Sequence, residues 1–120
     1  MLKCILTLAA LAWRRGVSEP GRRTLPAVFA FRPEIVFYQA GVDALATDAL
    51  GRLSLTPEGM AARDTLVFDK IRQTGVPLVI TLGGGYSNPI EQTVDAHERT
   101  FRLASALKTS ALPCRSVAPR

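Results

Sequence analysis

The sequence predicts an α/β fold: parallel βαβ units in a three-layer arrangement. Three observations carry that prediction. Glu34-Ile35-Val36-Phe37-Tyr38 and Pro77 to Leu82 are short apolar runs rich in β-branched and aromatic residues, and both read as strands. Between them Thr56-Pro57-Glu58 opens a helix. Each strand ends in glycine, Gly41 after the first and Gly83-Gly84-Gly85 after the second. A helix joining two strands of one sheet makes a crossover that is almost always right-handed and forces the strands to run parallel. Both then open on the edge where ligands of α/β sheets bind. Asp43 follows the first strand and Tyr86 the second, so the topology brings a carboxylate and a phenol to one crevice.

The first 24 residues divide into an apolar run, Ile5 to Trp13, and a segment dense in proline, glycine and charge through Arg23. The run is far short of the roughly 20 residues needed to span a membrane. Lys3 before it and Ala10-Leu11-Ala12 within it imitate a secretory signal, but Arg14-Arg15 directly after is atypical of a cleavage region. A short helix is the expectation there, and a turn or linker over Arg14 to Arg23. Leu25 to Phe31 is apolar again, and Pro33, which biases its predecessor away from helix, starts the first strand. The unbroken run Ile35 to Phe37 suits a strand buried on both faces.

Gly41 allows a sharp exit from that strand, and Asp48 and Gly51 continue a polar loop. Thr56 is a good N-cap, Pro57 sits where its missing N–H costs nothing, and Glu58 favours the positive end of the helix dipole. Met60, Val67 and Ile71 recur at helical spacing, with Arg63-Asp64 interrupting the row. Gly75 fits the C′ position, with Pro77 two residues on. After the glycine triplet only the ring of Tyr86 projects. Ser87 or Asn88 is the expected cap of a last helix opened by Pro89. Ile90, Val94, His97, Phe101 and Ala104 form one face of it, on which His97 reads as a packed or half-exposed residue rather than a catalytic one. From Lys108 the chain becomes a polar, proline-containing tail.

The net charge of +5 does not mark a nucleic-acid protein, because the charge is unevenly spread. From Pro33 to Leu107 the chain carries a net −3 and the flanks +8, so the positive charge sits on the tails and forms no face on a folded element. Neither nucleic acid nor membrane is an expected partner. Cys4 and Cys114 have no CxxC spacing and no histidine pair, which fits a reducing, cytoplasmic compartment. The glycine triplet is not a dinucleotide fingerprint, since the sixth position is Asn88, and no lysine follows to make a Walker loop.

Taken alone, an aspartate after a strand is more often a loop-capping residue than a metal ligand. The surrounding motifs bear on that choice. Phe37-Tyr38-Gln39-Ala40-Gly41-Val42-Asp43, Asp48-Ala49-Leu50-Gly51-Arg52-Leu53-Ser54-Leu55-Thr56, Arg63-Asp64 and Leu82-Gly83-Gly84-Gly85-Tyr86 together resemble the C-terminal part of the zinc-dependent histone deacetylase family, in particular its short bacterial and class IV-like members. The likeness covers residues 25–107 as a partial deacetylase-like domain, leaving 1–24 unmatched and 108–120 as the tail. It implies the C-terminal part of an arginase/deacetylase-like fold and hydrolysis of acetyl-lysine or a related acylated amine. Asp43 falls on the family's zinc-ligating aspartate, and Tyr86 on the tyrosine whose hydroxyl donates to the scissile carbonyl. Gly84 and Gly85 are expected to leave room for the substrate's acyl group. The family also uses an Asp-x-His pair of ligands and two adjacent histidines, whereas this chain has one histidine. The expectation is a truncated deacetylase, inactive alone, with oligomeric state left open. The rival expectation is a non-catalytic module that binds a full-length deacetylase.

Overall fold

In the computed structural model the described residues are 3–6 and 19–107, with side chains described for 24–107. Three parallel strands, β1 (Lys3–Leu6), β2 (Ile35–Gln39) and β3 (Leu78–Thr81), lie in the order β1-β2-β3. Cys4 pairs with Val36 and Val36 with Leu78, so the register runs straight across the sheet. Helices α1 (Glu19–Ala30) and α2 (Pro57–Thr74) fill the connections between strands, and α3 (Glu91–Ser105) follows β3. The α/β class and its parallel βαβ arrangement are therefore as expected from the sequence.

Helix α2 has the predicted boundaries. The Thr56 hydroxyl accepts from the Gly59 N–H at 3.1 Å. Gly75 closes the helix at φ 67°, its N–H reaching the Ile71 carbonyl. Its inner face buries Met60, Val67, Phe68 and Ile71. Arg63 and Asp64 are buried on the same face, where the sequence suggested only an interruption. Leu25 of α1, Val67, Phe68 and Ile71 of α2, and Val36 and Tyr38 of β2 form the main core, against which Leu78 and Ile80 of β3 and Leu103 and Ala104 of α3 also pack. A second cluster joins Val42, Ala44, Leu45, Leu55, Met60 and Ala96 below the strand ends.

Four expectations about the helices and the N-terminal segment are corrected, and a fifth about β2 follows them. Residues 3–6 are a strand paired to β2, where a short helix was expected over 5–13; residues 7–18 lie outside the described residues, as does the tail from 108. Glu19 to Arg23 are not a linker but the first turns of α1, since proline is tolerated in a first turn and burying Leu25, with Val28 and Phe29 beside it, supplies the packing energy. Ser87 and Asn88 do not cap α3, which begins at Glu91 after Ile90 with no side-chain cap. Finally, most of the apolar stripe of α3 is not its packed face: Thr93, Ala96 and Thr100 are buried, while Ile90, Val94 and Phe101 are 55%, 60% and 43% exposed, and of the stripe Ala104 packs on the core. That orientation satisfies Asp64, whose carboxylate accepts a 2.5 Å bond from the Thr100 hydroxyl.

Strand β2 is fully buried on one face only. Val36 and Tyr38 face the helices, whereas Ile35 and Phe37 are half-buried and belong to neither core cluster. The described residues thus build the sheet and one helical layer, with β3 as an edge strand.

One prediction follows from the core. Asp64→Ala leaves Arg63, Tyr38 and Thr100 without their shared acceptor. Breaking a buried ion pair costs about 3–5 kcal/mol, comparable with the whole stability of a small domain. The expected result is loss of the cooperative thermal transition followed by circular dichroism; an unchanged melt would contradict it.

Candidate functional site

The site is built at the carboxyl ends of β2 and β3. Their ladder continues past both strands, with Ala40 N–H bonded to the Thr81 carbonyl at 2.9 Å and Val42 N–H to the Gly83 carbonyl at 3.0 Å. The two chains therefore leave the sheet side by side. Asp43 is exposed directly beside the glycine turn. Gly84 adopts φ +62°, and a Cβ there would lie 2.8 Å from the Asp43 Cβ, so no other residue lets the turn come this close. A Cβ on Gly85 would stand 2.4 Å from the Thr93 Cγ2 and 2.8 Å from a Val42 methyl. The space left by the two glycines is thus occupied by the protein's own Asp43, Val42 and Thr93. Tyr86 follows with its side chain 60% exposed.

A residue that the sequence placed in a polar loop, at the head of one family-like motif but with no role of its own, holds these pieces together. The Asp48 carboxylate is buried, 8% exposed, and accepts three backbone bonds: Leu50 N–H at 2.9 Å and Gly51 N–H at 2.6 Å on Oδ1, and Tyr86 N–H at 2.7 Å on Oδ2. Residues 47–49 run antiparallel to 86–88, with Ala49 N–H on the Tyr86 carbonyl and Asn88 N–H on the Thr47 carbonyl. The Thr47 and Ser87 hydroxyls meet at 3.1 Å, and Ser87 N–H bonds the Thr93 hydroxyl. The backbone of Tyr86 is fixed on both sides while its ring stays free. The signal in the sequence was Asp48 three residues before Gly51, the spacing of an aspartate that folds the loop onto itself.

Behind the loop, Arg63 ties it to the core. Its Nη1 donates to the Gly41 carbonyl at 2.6 Å, and its Nε to Asp64 Oδ1 at 3.0 Å. Nη2 lies 2.8 Å from the same oxygen, yet its hydrogens point elsewhere, so that contact is Coulombic and makes no hydrogen bond. Tyr38 donates its hydroxyl to Asp64 as well, and burial first, with the neighbouring carboxylate, pushes that phenol above its usual range.

The fit to a metal can be tested on the donors. A catalytic zinc takes three protein ligands and leaves one position open. Among the described residues no three His, Cys, Asp or Glu side chains gather to hold a metal ion. His97 is half-buried on α3 with its Nδ1 unpartnered and belongs to no such group. Asp43 is thus a single carboxylate, and the described residues do not by themselves fit a zinc centre.

Fold and site define an α/β protein whose exposed carboxylate and phenol flank a glycine turn at the carboxyl edge of a parallel sheet. The histone deacetylase domain model matches residues 18–101, and the chain belongs to that family. It is 38% identical over 73 residues to an uncharacterized protein of Picosynechococcus, a stretch covering 61% of this chain and 24% of that one. It is 39% identical over 67 residues to a histone deacetylase-like amidohydrolase of Pseudomonas aeruginosa, covering 55% of this chain and 18% of that one. The identity to histone deacetylase 2 of Arabidopsis thaliana is 46% over 56 residues, covering 47% and 14%. The chain therefore spans no more than about a quarter of the length of these relatives.

Two predictions come from this geometry. Burial raises the Asp48 pKa, but the N–H groups of Tyr86, Gly51 and Leu50 together outweigh it and hold the carboxyl below the usual 3.8. A carboxyl lowered by folding binds protons less readily in the fold, so its contribution is complete above 3.8 and is lost as pH falls through the lowered folded value. Below pH 4 the Asp48→Asn protein should accordingly show a shallower decline of Tm than the parent; equal declines would contradict this. Separately, a Cβ at residue 51 would lie 1.8 Å from the Asp43 carbonyl oxygen. Gly51→Ala should destabilise by more than 1 kcal/mol in a urea melt, because the loop must move, as overpacking costs about 1–3 kcal/mol.

Proposed function

We propose that the chain is the C-terminal portion of a zinc-dependent deacetylase acting on acetyl-lysine or a related acylated amine, with residues 25–107 as its partial catalytic domain. The observation that carries the reading is the contact of Gly84 with Asp43, which brings the glycine turn leading to Tyr86 against the carboxylate. In this reading Asp43 is one of three metal ligands, the others coming from polypeptide beyond the described residues. Were those ligands supplied, Asp43 would help hold a metal, whose chemistry would be to polarise the scissile carbonyl and activate a water near neutral pH. Tyr86 donates its hydroxyl to the oxygen on which negative charge develops, a bond stronger in the transition state than in the ground state. Gly84 and Gly85 would line the place of the acyl group with main chain alone, since Asp43, Val42 and Thr93 already fill the space where their side chains would lie. With one ligand the chain by itself is inactive. No helix among the described residues is long and apolar enough to cross a membrane. We place the protein in the cytoplasm, a reading supported by two cysteines without a disulfide framework.

The test is complementation. The purified chain with added zinc should not turn over an acetyl-lysine peptide. Mixed or co-expressed with an upstream deacetylase segment that carries the Asp-x-His and paired-histidine motifs, it should. In that assembly Tyr86→Phe should lower kcat about a hundredfold, and Asp43→Ala should remove zinc along with activity. Turnover unaffected by either change would overturn the assignment. The edge position of β3 favours a second reading, a non-catalytic module that adds its strand to a full-length deacetylase. Tight binding to such an enzyme, abolished by Val79→Pro and without any gain of activity, would select it.

A further inference from the structure

We infer that Asp48 is a positioning residue that sets the spacing between Asp43 and Tyr86. The inference rests on the reading of those two residues given above and adds a residue that does no chemistry itself. Its two carboxylate oxygens face different pieces of chain. Oδ1 holds the Leu50 and Gly51 amides of the loop that begins at Asp43, and Oδ2 holds the Tyr86 amide beyond β3. Both pieces end in close contact with Asp43. Gly51 packs so tightly on its carbonyl that a Cβ would overlap the oxygen, and Gly84 packs on its side chain. Moving the Asp48 carboxylate therefore moves the loop bearing the candidate ligand and the backbone bearing the phenol together.

The group has to be a carboxylate. Three N–H donors converge on two oxygens, and each oxygen must accept. An asparagine has one accepting oxygen and one donating NH2, so whichever way it is turned one side of the clamp meets donor against donor. Asparagine at this position keeps the size and burial of the side chain and breaks a single side of the clamp. Alanine breaks both. The antiparallel pairing of residues 47–49 with 86–88 holds the segments roughly in place in either variant, so the effect is a loss of spacing and the fold remains.

The experiment uses the complete chain. In two-dimensional NMR of the parent, the amide shifts of Leu50, Gly51 and Tyr86 should titrate together through one acidic midpoint, a measurement that needs no variant. In Asp48→Asn the Tyr86 amide or the Gly51 amide should exchange with solvent about tenfold faster, the equivalent of one lost hydrogen bond. Amides in the core of α2, such as Val67, should keep their protection. In the complemented enzyme the same variant should lower kcat about tenfold or more, with little change in KM. A Tyr86 amide that neither titrates with the other two nor loses protection in the variant would overturn the inference, whether or not Tyr86→Phe affects turnover. Conversely, three amides that titrate together while Tyr86→Phe and Asp43→Ala leave turnover intact would keep the clamp and overturn the catalytic reading on which its positioning role rests.

Discussion

The arrangement of this protein depends on one buried carboxylate. Asp64 is 1% exposed and accepts from Tyr38 on β2, from Arg63 on its own helix and from Thr100 on α3. A bare charge in such a place would cost several kcal/mol, so each donor is held to its position by the need to satisfy it. The phases of three elements are fixed at once. Tyr38 must point into the helical layer, and Phe68 meets its ring edge-on at 6.0 Å between centroids. Thr100 must face α2, which turns the apolar stripe of α3 outward. Half-exposing three apolar side chains costs less than stranding Asp64 and the two hydroxyls that serve it.

That constraint reaches the site through Arg63. The guanidinium neutralises Asp64 on one side and grips the Gly41 carbonyl on the other, so the core and the loop bearing Asp43 share one cation. Asp48 then connects that loop with the segment after β3. Main chain is restrained at every step, while the side chains of Asp43 and Tyr86 remain exposed. This division is the one the roles proposed for Asp43 and Tyr86 require, a side chain held at its base and open at its tip.

How much of this was legible in the sequence varied with the range of the signal. Thr56-Pro57 and Gly75 announce a helix by local chemistry, and α2 has those ends. The strand and helix pattern announced the parallel βαβ unit, whereas the packing of Gly84 on Asp43 is seen only in the structure. Signals that rest on distant partners were not legible. Arg63-Asp64 looked like a break in an apolar row, because nothing local shows that Tyr38 and Thr100 await the carboxylate. The stripe Ile90, Val94, Phe101 looked like a packing face for the same reason. Helix α1 was hidden by Pro20 and Pro26; Pro20 lies in the first turn, where proline is tolerated, and packing onto β2 and α2 outweighs the cost of Pro26 inside the helix. Asp48 carried a readable local spacing, but its third bond goes to a residue beyond β3.

The rim of β3 and the outward stripe of α3 lie on the same small body. Among the described residues the outer rim of β3 pairs with no further strand, and such a rim, like an outward apolar stripe, is the kind of surface that holdase chaperones grasp and that invites strand-to-strand stacking. Whatever covers those two surfaces therefore protects the polypeptide from capture and stacking alike.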